Sequence, residues 1–208
     1  MGQEKKLYRQ YNDFIFEEAA IAMDMFQLYV GLYNSRIAFL DEQNVAPAFF
    51  QMVTRALLEN SVLRVAKLYE RDSGTSQTIT LIKLINNVEQ NAKKIKPNTE
   101  EKALQIVNDV KKKIQDREAE LGKLKTLRDR ALTHNDKMYY MRDIWAEVGL
   151  STGSIVTLIE LVAEISNEFK NLYERKTTRQ KAINNGDYKE LLEIIRGKNQ
   201  QSAQQNSE

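Results

Sequence analysis

Residues 103–136 read ALQIVNDVKKKIQDREAELGKLKTLRDRALTHND. Ala103, Val107, Val110, Ile114, Arg117, Leu121, Leu124, Arg128 and Ala131 recur by steps of four, three, four and three along it. That spacing lines one face of an α-helix, so the stretch predicts a long charged helix turning an apolar seam toward a core. Arg128 falls on the seam. A guanidinium there is costly to desolvate unless a carboxylate pairs with it or a wet cleft opens beside it.

Working outward, the rest of the chain also reads as helix, because two prolines and eight glycines punctuate it and strand-like alternation is scarce. Leu7, Tyr11, Phe14, Ile21, Met25, Leu28 and Leu32 mark a long first helix. A loop at Asp41, Glu42, Gln43, Asn44 and Pro47 leads to a second, in which Val53, Leu57, Val62, Val65 and Leu68 leave few exposed positions and imply a central place in a bundle. Thr78 is the expected N-cap of a short third helix through Leu81, Leu84, Ile85 and Val88. Lys96 and Pro97 stop it, and Asn98 with Glu101 has the form of a capping box for the long charged helix. A helical turn is expected at 142–148. Ser151 or Thr152 then caps a last long helix with its seam at Ile155, Leu158, Val162, Ile165, Phe169 and Leu172. A short helix from Tyr188 to Ile195, packing by Leu191, Leu192 and Ile195, precedes a Gln- and Asn-rich tail too polar to order itself. The expected fold is an all-α antiparallel bundle of long helices, with one domain over 1–196 and a disordered tail over 197–208.

Composition narrows the chemistry. With no cysteine there is no disulfide framework, thiol nucleophile or Cys-based zinc site, and a single histidine makes a His-rich metal centre within one chain improbable, so no metal and no cofactor are expected. The net charge of +2 is unevenly spread: 93–130 carries twelve Lys/Arg against seven Asp/Glu, a balance of +5 that leaves the remainder at −3. That basic run leads straight to the end of the seam. The N-terminus lacks the apolar run of a secretory leader, and no stretch is apolar enough to cross a bilayer, so a cytoplasmic location is expected.

At the end of the seam stands the chain's one histidine, His134, six positions after Arg128 and four after Arg130. If the helix stays α-helical through this point, Arg128 and His134 lie roughly 120° apart around the axis with the small Ala131 between them. Histidine moves protons near neutral pH, and arginine binds phosphate through a permanently charged fork. Together they suffice for metal-independent RNA cleavage, in which the 2′-hydroxyl attacks the adjacent phosphorus. DNA lacks that internal nucleophile, so RNA is the expected substrate. Asp129, Arg130, Thr133 and Asn135 are candidate supporting residues. Structural alternatives stand beside each role. His134 can favour a helix macrodipole, Arg128 can be an internal ion pair, Arg130 and Lys125 can be solvated, Asn135 can hold a left-handed C-cap, and Lys111, Lys112 and Lys113 can form an exposed face rather than an RNA track.

Arg128 followed by the polar Asp129, then His134 after five intervening residues, resembles the signature of the HEPN superfamily. Residues 63–72 (LRVAKLYERD), 78–85 (TITLIKLI) and 127–136 (LRDRALTHND) together resemble its abortive-infection AbiU-type branch. Thr133 departs from the Ala-His pair common there. The resemblance implies an all-α domain that often dimerises, bringing two Arg/His motifs into a shared cleft. It also implies RNA cleavage by a toxin or antiphage effector, with an antitoxin or regulatory protein as a further partner. Other members of the superfamily are noncatalytic scaffolds that bind protein or nucleic acid, which is the alternative reading.

Overall fold

A computed structural model describes residues 3–71, 78–95, 99–133, 144–174 and 186–205. Every regular element among them is helical: α1 (Gln3–Asn34), α2 (Leu40–Asn44), α3 (Pro47–Leu68), α4 (Leu81–Ile95), α5 (Glu100–Gln115), α6 (Glu118–Leu127), a π-helical turn (Arg128–Thr133), α7 (Ile144–Val148), α8 (Thr152–Glu174) and α9 (Asp187–Gln205). The all-α bundle expected from the sequence is the fold.

The first helix is the spine. Tyr8, Asn12, Ile15, Ala19, Ala22, Met23 and Phe26 are buried along it, the repeat that keeps one helical face in the core. α3 and α8 both pack along it, and both run antiparallel to it. Tyr8 meets Tyr173 edge to face at 4.7 Å, while Asn12 accepts hydrogen bonds from the Ser166 hydroxyl at 3.1–3.2 Å. Farther along, Glu18 pairs with Arg64 at 2.6 Å, and Leu32 packs with Phe50. α4 and α5 complete the layer, with Lys113 of α5 gripping Glu164 and Glu168 of α8 at 2.7 and 2.6 Å. The seam expected of α8 is fully in the core: Ile155, Leu158, Val162, Ile165, Phe169 and Leu172 are all buried.

Several boundaries differ from the sequence reading, each for a local reason. The segment 40–44, read as loop, is the short helix α2. α3 is central only in its second half; Phe49 and Met52 near its start are exposed, whereas Ser61, Val62, Val65, Ala66 and Leu68 are buried. The cap of α4 is Thr80 rather than Thr78, since the buried Thr80 hydroxyl accepts the Lys83 N–H at 3.3 Å. Ser151 does cap α8, accepting the Ser154 N–H at 3.0 Å. Asn98 lies outside the described residues, and α5 opens at Glu100 after Thr99.

The long charged helix is two helices. It breaks at Asp116 and Arg117, where the seam places a guanidinium, and the turn lets Arg117 out toward solvent and Glu120 instead of carrying it into the core. Beyond the break Leu124 and Leu127 are buried. Gly149, at a φ of 63°, ends α7 in the left-handed conformation a glycine adopts most readily.

α9 packs apart from the main core. Leu192, Leu32 and Phe50 form a small second cluster, joined by Tyr188 and Ile195, while Leu191 is exposed. Arg196 fastens the helix to α2 by bonding Glu42 at 2.7 Å and the Ala38 carbonyl at 2.6 Å. The helix runs on to Gln205, past Gly197 where the polar composition suggested an unordered tail. Lys198, Asn199, Gln200 and Gln201 are exposed, so this extension rests on its own backbone hydrogen bonds rather than on burial.

Candidate active site at the end of α6

Leu124 and Leu127 anchor the last turn of α6 in the core, and Arg128 is the next residue. Here the α-helix gives way to the π-helical turn Arg128–Thr133. Such wider turns, bonded i to i+5, occur mostly as single-turn insertions within α-helices and are frequent at functional sites. The α-helical spacing assumed after Arg128 therefore does not hold over Arg128–Thr133. Arg128 and Asp129 open the turn and Arg130 follows. Thr133 closes it, while His134 and Asn135 lie outside the described residues.

The Arg128 side chain is 17% exposed and its guanidinium is held from two sides. Nε donates to Asp129 Oδ1 at 2.7 Å, and Nη2 lies 2.6 Å from the same oxygen. Nη1 donates to Glu70 Oε1 at 3.0 Å. Asp129 thus turns back onto its neighbour. Glu70, just past the end of α3, is the residue that the sequence reading missed. Its partner lies 58 positions away on another helix, and the pattern of a single helix carries no signal of such a pairing.

Glu70 is brought there by the end of α3. The Glu70 N–H folds back to the Lys67 carbonyl at 3.2 Å, closing the helix. Beside it the Tyr69 hydroxyl donates to the Leu158 carbonyl of α8 at 2.8 Å, and burial pushes that phenol well above its ordinary range. Tyr69 thus stays neutral and fixes the terminus from which Glu70 reaches Arg128.

Arg130 faces the other way, its Nη1 meeting Glu147 of α7 at 3.0 Å. Lys123 of α6 donates to the Gly149 carbonyl at 3.1 Å. The end of α6 is therefore tied to α3 through Arg128 and to α7 and its following turn through Arg130 and Lys123. The basic run upstream is largely committed to the bundle, since Lys111 pairs with Glu89 at 2.7 Å and Lys113 with the two α8 glutamates. Among the described residues no three His, Cys, Asp or Glu side chains gather as a metal site. A groove of about 270 Å³ lies elsewhere, lined by Arg36, Leu40, Gln43, Asn44, Pro47, Phe50 and Gln51 at the far end of α3.

A family model described as AbiU2, of the HEPN type, matches residues 4–191. The chain belongs to the HEPN AbiU2 family. The match takes in every helix from α1 to α8 and the first turn of α9, and with them Glu70, Arg128, Asp129, Arg130 and His134. The HEPN reading made from the Arg128/His134 spacing and the two upstream segments is thereby shown for nearly the whole length of the protein. No curated protein and no solved structure matched the chain. No helix among the described residues of this HEPN protein is long and apolar enough to cross a membrane.

Proposed function

We propose that this HEPN AbiU2 protein is a metal-independent endoribonuclease, acting as a toxin or antiphage effector in the cytoplasm. Its site pairs Arg128 with His134 and is completed at a homodimer interface by the same residues of a second copy. The observation that carries the reading is a guanidinium set at the first residue of a π-helical turn, at the head of the segment that ends in the chain's one histidine.

In the reaction, the 2′-hydroxyl oxygen bonds to the adjacent phosphorus as the P–O5′ bond breaks. An imidazole takes the hydroxyl proton, and a proton is delivered to the departing 5′ oxygen, a division of labour that two histidines from two chains supply. Arg128 stabilises the charge that builds on the non-bridging oxygens. Asp129 orients that guanidinium, and Arg130, Thr133 and Asn135 are assigned supporting roles beside the Arg128/His134 pair.

Purified protein is expected to cleave single-stranded RNA in EDTA, leaving a 2′,3′-cyclic phosphate. His134→Ala is expected to abolish cleavage while circular dichroism shows the helices intact. Undiminished cleavage by that variant rejects the reading.

The second reading, a noncatalytic dimeric scaffold that binds protein or nucleic acid, is favoured by one observation: Arg128 already has the two carboxylate partners of a structural ion pair. It predicts a folded dimer that leaves RNA uncut and binds a regulatory protein.

A further inference from the structure

The guanidinium of Arg128 already holds an anion from beyond the end of α3. Two carboxylates, Glu70 and Asp129, stand against it, and the arginine side chain is only 17% exposed. A phosphodiester arriving at the same guanidinium meets both anions where charges are less screened than in open water, so the carboxylate held less firmly gives way. Asp129 is adjacent in the chain, sits at 2.6–2.7 Å and moves with the turn. Glu70 makes the longer contact, its side chain is 44% exposed, and it lies beyond the helical part of α3. Exposed ion pairs of this kind are held weakly, so Glu70 can be released into water at small cost.

We infer that Glu70 is the resident counter-anion of the site. Its carboxylate occupies the place at Arg128 Nη1 that an RNA phosphate takes, and it swings out as the phosphate binds; the choice of RNA as the incoming anion rests on the ribonuclease reading. Glu70 keeps Arg128 extended and its charge balanced in the empty site, and sets a threshold that weakly held anions do not pass. An approaching backbone must offer a second contact, or a second site, to displace it.

The test uses the full chain carrying His134→Ala and a single-stranded 2′-O-methyl RNA decamer, which cannot be cleaved, with binding read by fluorescence anisotropy at low salt. Glu70→Gln, which keeps the shape and removes the charge, is expected to tighten binding about three- to tenfold, the scale of one unit charge at close range in a partly solvated site. Glu70→Ala is expected to do the same, which guards against a folding defect peculiar to one variant. When Arg128→Ala is also present, the gain should shrink below about twofold, because the place being competed for is gone. Unchanged or weaker binding by both Glu70 variants overturns the inference, as does an equal gain with and without Arg128 or a failure of every variant to bind. Cleavage of unmodified RNA by the wild-type protein is scored separately. A Glu70 gain without cleavage retains the counter-anion and ends the ribonuclease reading, and cleavage without a gain does the reverse.

Discussion

A guanidinium gripped by carboxylates that face water has little leverage on the stability of a bundle. Glu70 and Asp129 both keep a substantial part of their side chains in solvent, so removing their partner leaves two hydrated anions rather than buried orphans. Arg128→Ala is therefore expected to change unfolding free energy by no more than about 1 kcal/mol in urea titrations, while cleavage falls by two or more orders of magnitude, as loss of a transition-state charge partner does. A large loss of stability with activity retained would return Arg128 to a purely structural role. The position was legible in the sequence because a charged residue stood on a largely apolar repeat, just before the chain's one histidine. Glu70 was not, since its meeting with Arg128 is made by the packing of α3 beside the end of α6.

Between elements, Lys113 joins α5 to α8 by an electrostatic tie. Hydrogen bonds from its ammonium to Glu164 and Glu168 hold its pKa above the ordinary lysine value. A raised lysine pKa means that the folded state binds the proton more tightly, so the stabilisation is complete below the unfolded lysine pKa and fades as pH rises through the folded one. Lys113→Met is expected to lower stability by less than about 1 kcal/mol at pH 7, the tie being partly exposed. The difference between the two proteins should disappear at strongly alkaline pH, and an equal difference at every pH would contradict it. Thr80→Ala should cost about 1 kcal/mol, seen as a lower Tm, because the first turn of α4 loses its side-chain acceptor. Thr78→Ala is the comparison, since the sequence alone favoured that residue as the cap. The long helices could be read from periodicity, and the seam most completely in α8; in α1 the buried face runs through Tyr8, Asn12, Ile15, Ala19 and Phe26, whereas Leu7 and Phe14, expected on the seam, are exposed. The break at Arg117 could not, because the repeat continues across it and only the expulsion of a charge from the seam marks it.

At the scale of the molecule the core is unequal. α1, α3, α4, α5 and α8 share the large cluster, whereas α9 rests on a small one of Leu32, Phe50 and Leu192 and on the Arg196 tie to Glu42. Opening α9 exposes far less apolar surface than opening α8, so hydrogen–deuterium exchange is expected to reach 187–205 long before 155–169. Gly31→Leu should hasten exchange in α9 alone, since even a Cβ there would stand 2.8 Å from the Tyr188 ring. Equal protection of the two helices would mean that α9 belongs to the main cooperative unit. The single-domain expectation took no account of this second cluster, because its members come from two stretches far apart in the chain, 28–57 and 188–195. The opposite end of α3 has its own character. From Gly31 to Thr54 the only charged residues are Arg36, Asp41 and Glu42, and Ile37 is 96% exposed, with Leu40, Val45, Phe49 and Met52 also bare. Along the 22 residues of α3 this corner stands roughly 30 Å from Glu70. Adsorbed by that greasy corner to a hydrophobic bead, the molecule would hang with its arginine turn pointing into the liquid, oriented for assay by the uneven distribution of its own oiliness.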